Sequence, residues 1–215
     1  MCFSATSSGY NFLIGLVGSF LLAKYGSPKY SENNLIYGYF FFYIILMQLF
    51  DLIFWLNQNP SSKINSIFTY IAAAVVYTQP TMLYLLKILI KKPKFDNNTD
   101  KFYLIANIIY LFVVLAYYIS FTKDKPIITL KKGNHLKWKW TDHANFMYFI
   151  LFILNIFYLS NIKYSIMIFL FIFGSLLVSY KLFYNYVGEI WCYLAALAPI
   201  CILVCTYLLW FKLKI

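Results

Sequence analysis

Seven apolar segments, each close to the ~20 residues a helix needs to cross a bilayer's hydrocarbon core, most constrain what this chain can fold into. Backbone N–H and C=O groups cannot stay unpaired in lipid, so such segments fold as helices. The first four are read at residues 9–25, 35–56, 67–90 and 102–121, and the last at 188–211. Between them, residues 144–184 contain no Pro. One straight helix of that length would run ~60 Å, about twice the ~30 Å core. The chain must therefore turn, and Ser160-Asn161-Ile162-Lys163 is the polar place to do so, giving helices 5 and 6. Only 12% of residues are charged, against about 25% in a soluble domain, and no polar stretch is long enough for a separate domain. The expectation is one domain, residues 1–215: an all-α, polytopic membrane bundle of seven transmembrane helices.

The longest polar stretch, Thr122 to Asp142, carries a different signal. Apolar and polar residues alternate on both sides of Lys132-Gly133-Asn134, the mark of a hairpin with a tight turn. A short β-hairpin is expected between helices 4 and 5, lying on the membrane surface with Trp138 and Trp140 at the interface. In helix 3, Gln79-Pro80 predicts a kink, because proline removes a backbone hydrogen bond. In helix 1, Gly15 and Gly18 permit close helix approach.

The net charge is +11, and all 18 basic residues are Lys. They fall between the apolar segments, as loops beside lipid headgroups require, and not on a soluble face as nucleic-acid binding would need. The bilayer is thus the expected partner, with a small ligand, a lipid or a second copy as further partners and no nucleic acid. An odd number of crossings puts the termini on opposite sides. The C-terminal side collects ten Lys (24, 29, 87, 91, 92, 94, 101, 163, 212 and 214) against the other eight of the 18. This favours an N-terminus outside and a C-terminus in the cytoplasm, and leaves the Asn97-Asn98-Thr99 sequon on the cytoplasmic face, unused. Lys-, Asn-, Ile-, Tyr- and Phe-rich usage without Arg points to an AT-rich genome, bacterial or viral.

Ionisable and polar groups inside apolar spans are costly and mark function by default. Asp51 stands on helix 2 with Gln48 three residues before and Trp55 four after, all on one face. Asp51 either serves a site or only ties helices together. Glu189 and Cys192 share a face at the start of helix 7, with Trp191 between them. Glu189 is also placed to complement the helix N-terminus. On the seven-span topology Cys2, Asp51, the His135 hairpin, Glu189 and Cys192 converge on one membrane face. Candidate ligand-binding residues are Cys2, Ser4, Gln48, Asp51, Trp55, His135, Glu189, Trp191 and Cys192. Catalytic candidates are Asp51, Glu189 and Cys2, and metal-ligand candidates are Cys2, Asp51, His135 and Cys192. Cys2 and Cys192 could alternatively join in a disulfide that pins the N-terminal arm over the bundle mouth. His143 is the remaining histidine. Cys201 and Cys205 lie in an apolar run as packing residues. Tyr103, Asn107, Tyr110 and Tyr117 in helix 4, Tyr148, Asn155 and Tyr158 in helix 5, and Tyr70, Tyr77, Thr81 and Tyr84 in helix 3 form interior stripes that either line a cavity or cross-link helices.

The opening Met-Cys-Phe-Ser-Ala-Thr resembles that of a family of small multi-pass bacterial membrane proteins of uncharacterised function, whose members begin Met-Cys-Phe-Ser-Ala. Gln48, Asp51 and Trp55 are similar to its Gln-x-x-Glu-x-x-x-Trp pattern, with Asp51 in place of the family's Glu. His135 to Trp138 resembles a His-x-x-aromatic element, and Trp191-Cys192 a Trp-Cys element opening the last helix. The resemblance implies the fold and these site positions, and no reaction.

Three functions fit these residues: a receptor- or sensor-like protein with a small polar pocket, a membrane-embedded metal-dependent hydrolase acting on a lipid or small molecule, and a channel or transporter. Whether the chain is an enzyme stays open. Its cofactors are undetermined, apart from retinal, which is not expected: the first Lys of helix 7 is Lys212, at its end. Two His exclude a three-His zinc site, and the absence of an internal repeat weakens a transporter.

Overall fold

The computed structural model describes residues 4–123, 127–133, 135–138, 146–182, 184 and 187–212. Helices dominate: α1 (Ala5–Tyr25), α2 (Ser31–Leu56), α3 (Lys63–Lys91), α4 (Asn98–Thr122), α5 (Phe146–Phe157), α6 (Ile162–Leu182), α7 (Val187–Ala195) and α8 (Ala198–Lys212). Two short strands, β1 (Leu130–Lys132) and β2 (His135–Lys137), lie between α4 and α5. Among the described residues five helices, α1, α2, α3, α4 and α6, are long and apolar enough to cross a membrane; α5 and α8 are apolar but shorter. Large apolar side chains point outward, among them Phe20, Phe112, Leu170 and Leu177. The architecture is that of a membrane protein.

Most helices start earlier than hydropathy indicates, because their first turns are polar capping sequences. Ser4 accepts from the Ser7 N–H and begins α1 at Ala5. Ser62 accepts from the Asn65 N–H at α3, and Asn97 from the Asp100 N–H at α4. Side chains that satisfy first-turn amides belong at these positions, and a hydropathy profile assigns them to loops.

Side-chain contacts fix how the helices run. Asn34 donates to Ser27 O across the α1–α2 turn, Tyr43 bonds Thr78 between α2 and α3, and Tyr110 and Tyr118 of α4 donate to Tyr77 O and Tyr70 O of α3. Each pair is antiparallel. α5 and α6 form the expected tight hairpin: Leu159 adopts a left-handed φ of 49°, and Asn161 Oδ1 accepts from the Lys163 and Tyr164 N–H groups to start α6. α7 packs on α6 and α2, and α8 runs alongside α1, with Asn11 bonded to Tyr193 near the end of α7 and Gly18 against Ile200. A Cβ on Gly18 would lie 2.7 Å from Ile200, and one on Gly15 2.4 Å from Ile45, so both glycines allow the close approach read from them.

The last helix is not continuous. It breaks at Ala196–Leu197, just before Pro199. Proline has no N–H to give the preceding turn, and its ring clashes with the carbonyl four residues back. Leu197 N–H turns to Leu194 O, and Asn11 Nδ2 of α1 donates to Tyr193 O at 3.0 Å. A bundle partner thus completes the broken backbone, as a membrane interior demands. Pro80 is handled differently. α3 continues through it, while Tyr110 OH takes Tyr77 O at 2.8 Å and Asn155 Nδ2 takes Pro80 O at 2.9 Å. The polar stripes of α3, α4 and α5 thus include direct ties between helices.

The hairpin forms with the expected register, Lys132 opposite His135 and Leu130 opposite Lys137. Gly133, at φ +65°, takes a conformation that costs other residues more. Leu136 and Trp138 are 0% and 1% exposed, so the hairpin docks against the bundle through these two side chains. Thr129, just before β1, is the latch. Its N–H donates to Asn65 Oδ1 at 2.9 Å, its O accepts from Asn65 Nδ2 at 2.9 Å, and its hydroxyl meets that of Thr69 at 2.9 Å. Gln58 adds an acceptor for the Lys131 N–H. Trp140 lies outside the described residues.

Candidate functional site

The docked hairpin closes one end of the bundle over the polar face of α2. Asp51 is fully buried, and Trp138 Nε1 donates to its Oδ1 at 2.9 Å. An indole N–H supplies a neutral donor that partly offsets the cost of enclosing a carboxylate. The Asp51–Trp138 bond therefore ties the hairpin to the helix that carries the candidate acid.

One turn from Asp51, Gln48 is fully buried, yet among the described residues neither its Nε2 nor its Oε1 has a hydrogen-bond partner. Trp55, on the other side of Asp51, likewise has a buried Nε1 with no acceptor. Lys131 Nζ stands 6.0 Å from the centre of the Trp55 ring, within cation–π range. The three α2 positions singled out by spacing thus share one face, which the hairpin covers at Asp51 and Trp55, with an unused donor and acceptor on the Gln48 side of the acid and an unused donor on the Trp55 side.

The other candidates divide. His135 lies on β2 opposite Lys132 and is half-buried; burial lowers its pKa below the ordinary imidazole value. Cys192 is buried on α7 beside a void of about 10 Å³ that Ile44 and Gln79 also line, deeper along the α2 stripe than Asp51. Trp191 is a packing residue: its Nε1 donates to Ile172 O at 3.0 Å, and its ring meets Tyr148, Phe149 and Phe152. Ser4 is the α1 N-cap. Cys2, His143 and the Glu189 side chain lie outside the described residues, so the Cys2–Cys192 lid and any role of Glu189 stand beyond them. Among the described residues no three His, Cys, Asp or Glu side chains come together as metal ligands.

Sequence reasoning missed three features. Trp138 was assigned to the interface and is instead the partner of Asp51. Gln79 was read only as the neighbour of Pro80, and it accepts from Tyr148 OH at 2.6 Å. Lys87 was counted as a headgroup lysine. It is fully buried at the opposite end of the bundle, where its Nζ donates to the carbonyls of Asn155, Ile156 and Tyr158 at 2.5, 2.8 and 2.6 Å. These carbonyls end α5, so the ammonium both satisfies them and meets the negative end of the helix dipole. The available signal was a lysine four residues before Lys91, still inside the apolar run of α3.

Fold and site together define a multi-pass helical membrane protein with a β-hairpin plug tied to a buried acid. No protein-family model, curated protein or solved structure matches this chain.

Proposed function

We propose that this chain is a receptor- or sensor-like membrane protein that binds a small polar ligand beneath the hairpin, on the Gln48–Asp51–Trp55 face of α2. The observation that carries this reading is the Gln48 side chain, fully buried with its amide unsatisfied. Leaving such a group unpaired costs about 1–3 kcal/mol, a cost that a bound ligand removes. The ligand class follows from the groups on offer: a donor and acceptor pair from Gln48, a donor from Trp55 and the Asp51 carboxylate. A small molecule that both donates and accepts hydrogen bonds, such as an amide or a zwitterion, matches them.

The topology belongs to the same proposal. α5 and the α7–α8 pair complete seven crossings, with the hairpin and the N-terminus outside. Lysines near the opposite helix ends, including Lys24, Lys29, Lys91 and Lys101, support a cytoplasmic assignment of that end by the positive-inside rule. The resemblance to the Met-Cys-Phe-Ser-Ala proteins agrees with this site, because its Gln-x-x-acid-x-x-x-Trp element falls on the same three residues.

A thermal-shift screen of the purified protein in detergent against small amides and zwitterions tests the reading. At least one compound is expected to stabilise the protein, and Gln48→Leu is expected to weaken its binding at least tenfold, about 1.4 kcal/mol. A panel without a hit, or hits that bind Gln48→Leu and Asp51→Asn as tightly as the parent protein, rejects it.

A further inference from the structure

On the outer surface, away from the hairpin, α1 and α2 enclose a cleft of about 520 Å³. Its floor is made of small residues, Ser19, Ala23 and Gly38. A Cβ on Gly38 would lie 2.6 Å from that of Ala23, so the helix backbones nearly touch there. The walls are Phe20, Tyr39 and Phe42, all exposed. From Leu16 to Lys24 the cleft follows nine residues of α1, or ~12 Å, close to the ~15 Å depth of one leaflet.

Its two ends differ. The deep end is apolar. The other holds Lys24, in the last turn of α1, with Lys29 on the turn that follows. Ser19, 3% exposed, contributes a hydroxyl without a hydrogen-bond partner to the floor. The cleft therefore runs from a cationic rim, past an unused hydroxyl, into an apolar trough.

We propose that this cleft is a binding site for one anionic phospholipid, its acyl chain in the trough and its phosphodiester at Lys24. Charge selects the headgroup: the rim lies at the end of the bundle that also carries Lys91, Lys92 and Lys101, and basic residues near the membrane surface attract anionic lipid. Ser19 offers a donor to the ester carbonyl, which lies between phosphate and chain. Shape selects a lipid over a flat protein surface, because the exposed aromatic walls flank a trough one leaflet deep.

Native mass spectrometry of the detergent-purified protein, with phosphatidylglycerol or phosphatidylcholine of identical chains added, tests this. The parent protein is expected to retain one phosphatidylglycerol at least fivefold more strongly than phosphatidylcholine. Lys24→Gln, an exposed substitution, is expected to abolish that preference. Leu16→Trp, which fills the deep end, is expected to lower retention of both lipids, with thermal unfolding of the lipid-free protein confirming that the variant is folded. Equal retention of the two lipids by the parent, an undiminished preference in Lys24→Gln, or a second copy of the chain bound in place of lipid overturns the proposal.

Discussion

Asn155 and Gln48 are both fully buried amides, one against Pro80 of α3 and the other one turn from Asp51 on α2. Asn155 Nδ2 donates to Pro80 O and to Asn107 Oδ1 at 2.9 and 3.0 Å, and its Oδ1 accepts from Asn107 Nδ2 at 3.2 Å. Beside it the Lys87 ammonium donates to three carbonyls. Gln48 makes no such bond. Burial alone therefore does not separate a structural polar group from a functional one. A polar group whose bonds are all used within the protein holds helices together. One that is enclosed and left unused is a cost the fold keeps, and such residues concentrate where something else binds.

The largest effect that would sharpen this contrast is at the satisfied end. Lys87→Met removes three charge-assisted bonds and takes this donor from the Asn155 and Tyr158 carbonyls, while Ile156 O keeps Tyr37 OH and Ser165 Oγ, at a cost of about 3 kcal/mol. Thermal unfolding in detergent reads it directly. A loss under about 1 kcal/mol would show that Lys87 is not a clamp. Lys87→Arg is also expected to destabilise, since a planar fork cannot reach three converging carbonyls as an ammonium does.

At the hairpin end, Trp138→Phe keeps an aromatic side chain but removes the indole donor to Asp51. Loss of a hydrogen bond to a buried carboxylate costs about 1.5–3 kcal/mol, and the hairpin should loosen with it. Trypsin at fixed pH is expected to cleave the variant after Lys131, Lys132 or Lys137 at least fivefold faster than the parent. Unchanged cleavage would mean that the Thr129–Asn65 latch alone holds the plug. Gln48→Leu should do the reverse of Lys87→Met. It removes two unsatisfied atoms at similar volume, so stability is expected to stay level or rise by up to about 1 kcal/mol. A loss above about 2 kcal/mol would show that the Gln48 amide is bonded, and would end the contrast with Asn155.

Much of this was legible before the structure. Of the seven spans read from apolar length, five are helices long and apolar enough to cross a membrane; alternation around Gly133 placed the hairpin, and the Gln48–Asp51–Trp55 spacing placed one face of α2. What hydropathy hid has one cause: a polar side chain looks the same in sequence whether its partner is water, lipid headgroup or a distant backbone carbonyl. Trp138 and Lys87 are the usual residues of a membrane interface, and both were assigned there. Their real partners, Asp51 and the α5 carbonyls, are 87 and up to 71 positions away. The break at Ala196–Leu197 was missed for a simpler reason. Pro199 was a visible signal, overridden by the apolar run around it.

The smallest expected effect concerns pH and acts at the hairpin end alone. Burial holds the His135 pKa below its ordinary value, ~6.5 in the released chain. The docked hairpin thus favours the neutral imidazole, and the undocked one binds a proton more readily. Docking is then at full strength above about pH 6.5 and weakens as pH falls through that region. Lys131, Lys132 and Lys137 on the same hairpin place further positive charge near a protonated ring. The Trp138 indole N–H resonance in 15N-labelled protein gives a local readout. It is expected to shift or broaden between pH 8 and 5.5, and the transition should vanish in His135→Gln. A resonance indifferent to pH, or a transition that survives the substitution, would show that His135 does not control the plug. The Lys87 clamp contains no histidine, so the resonances of α5 should stay fixed across the same range.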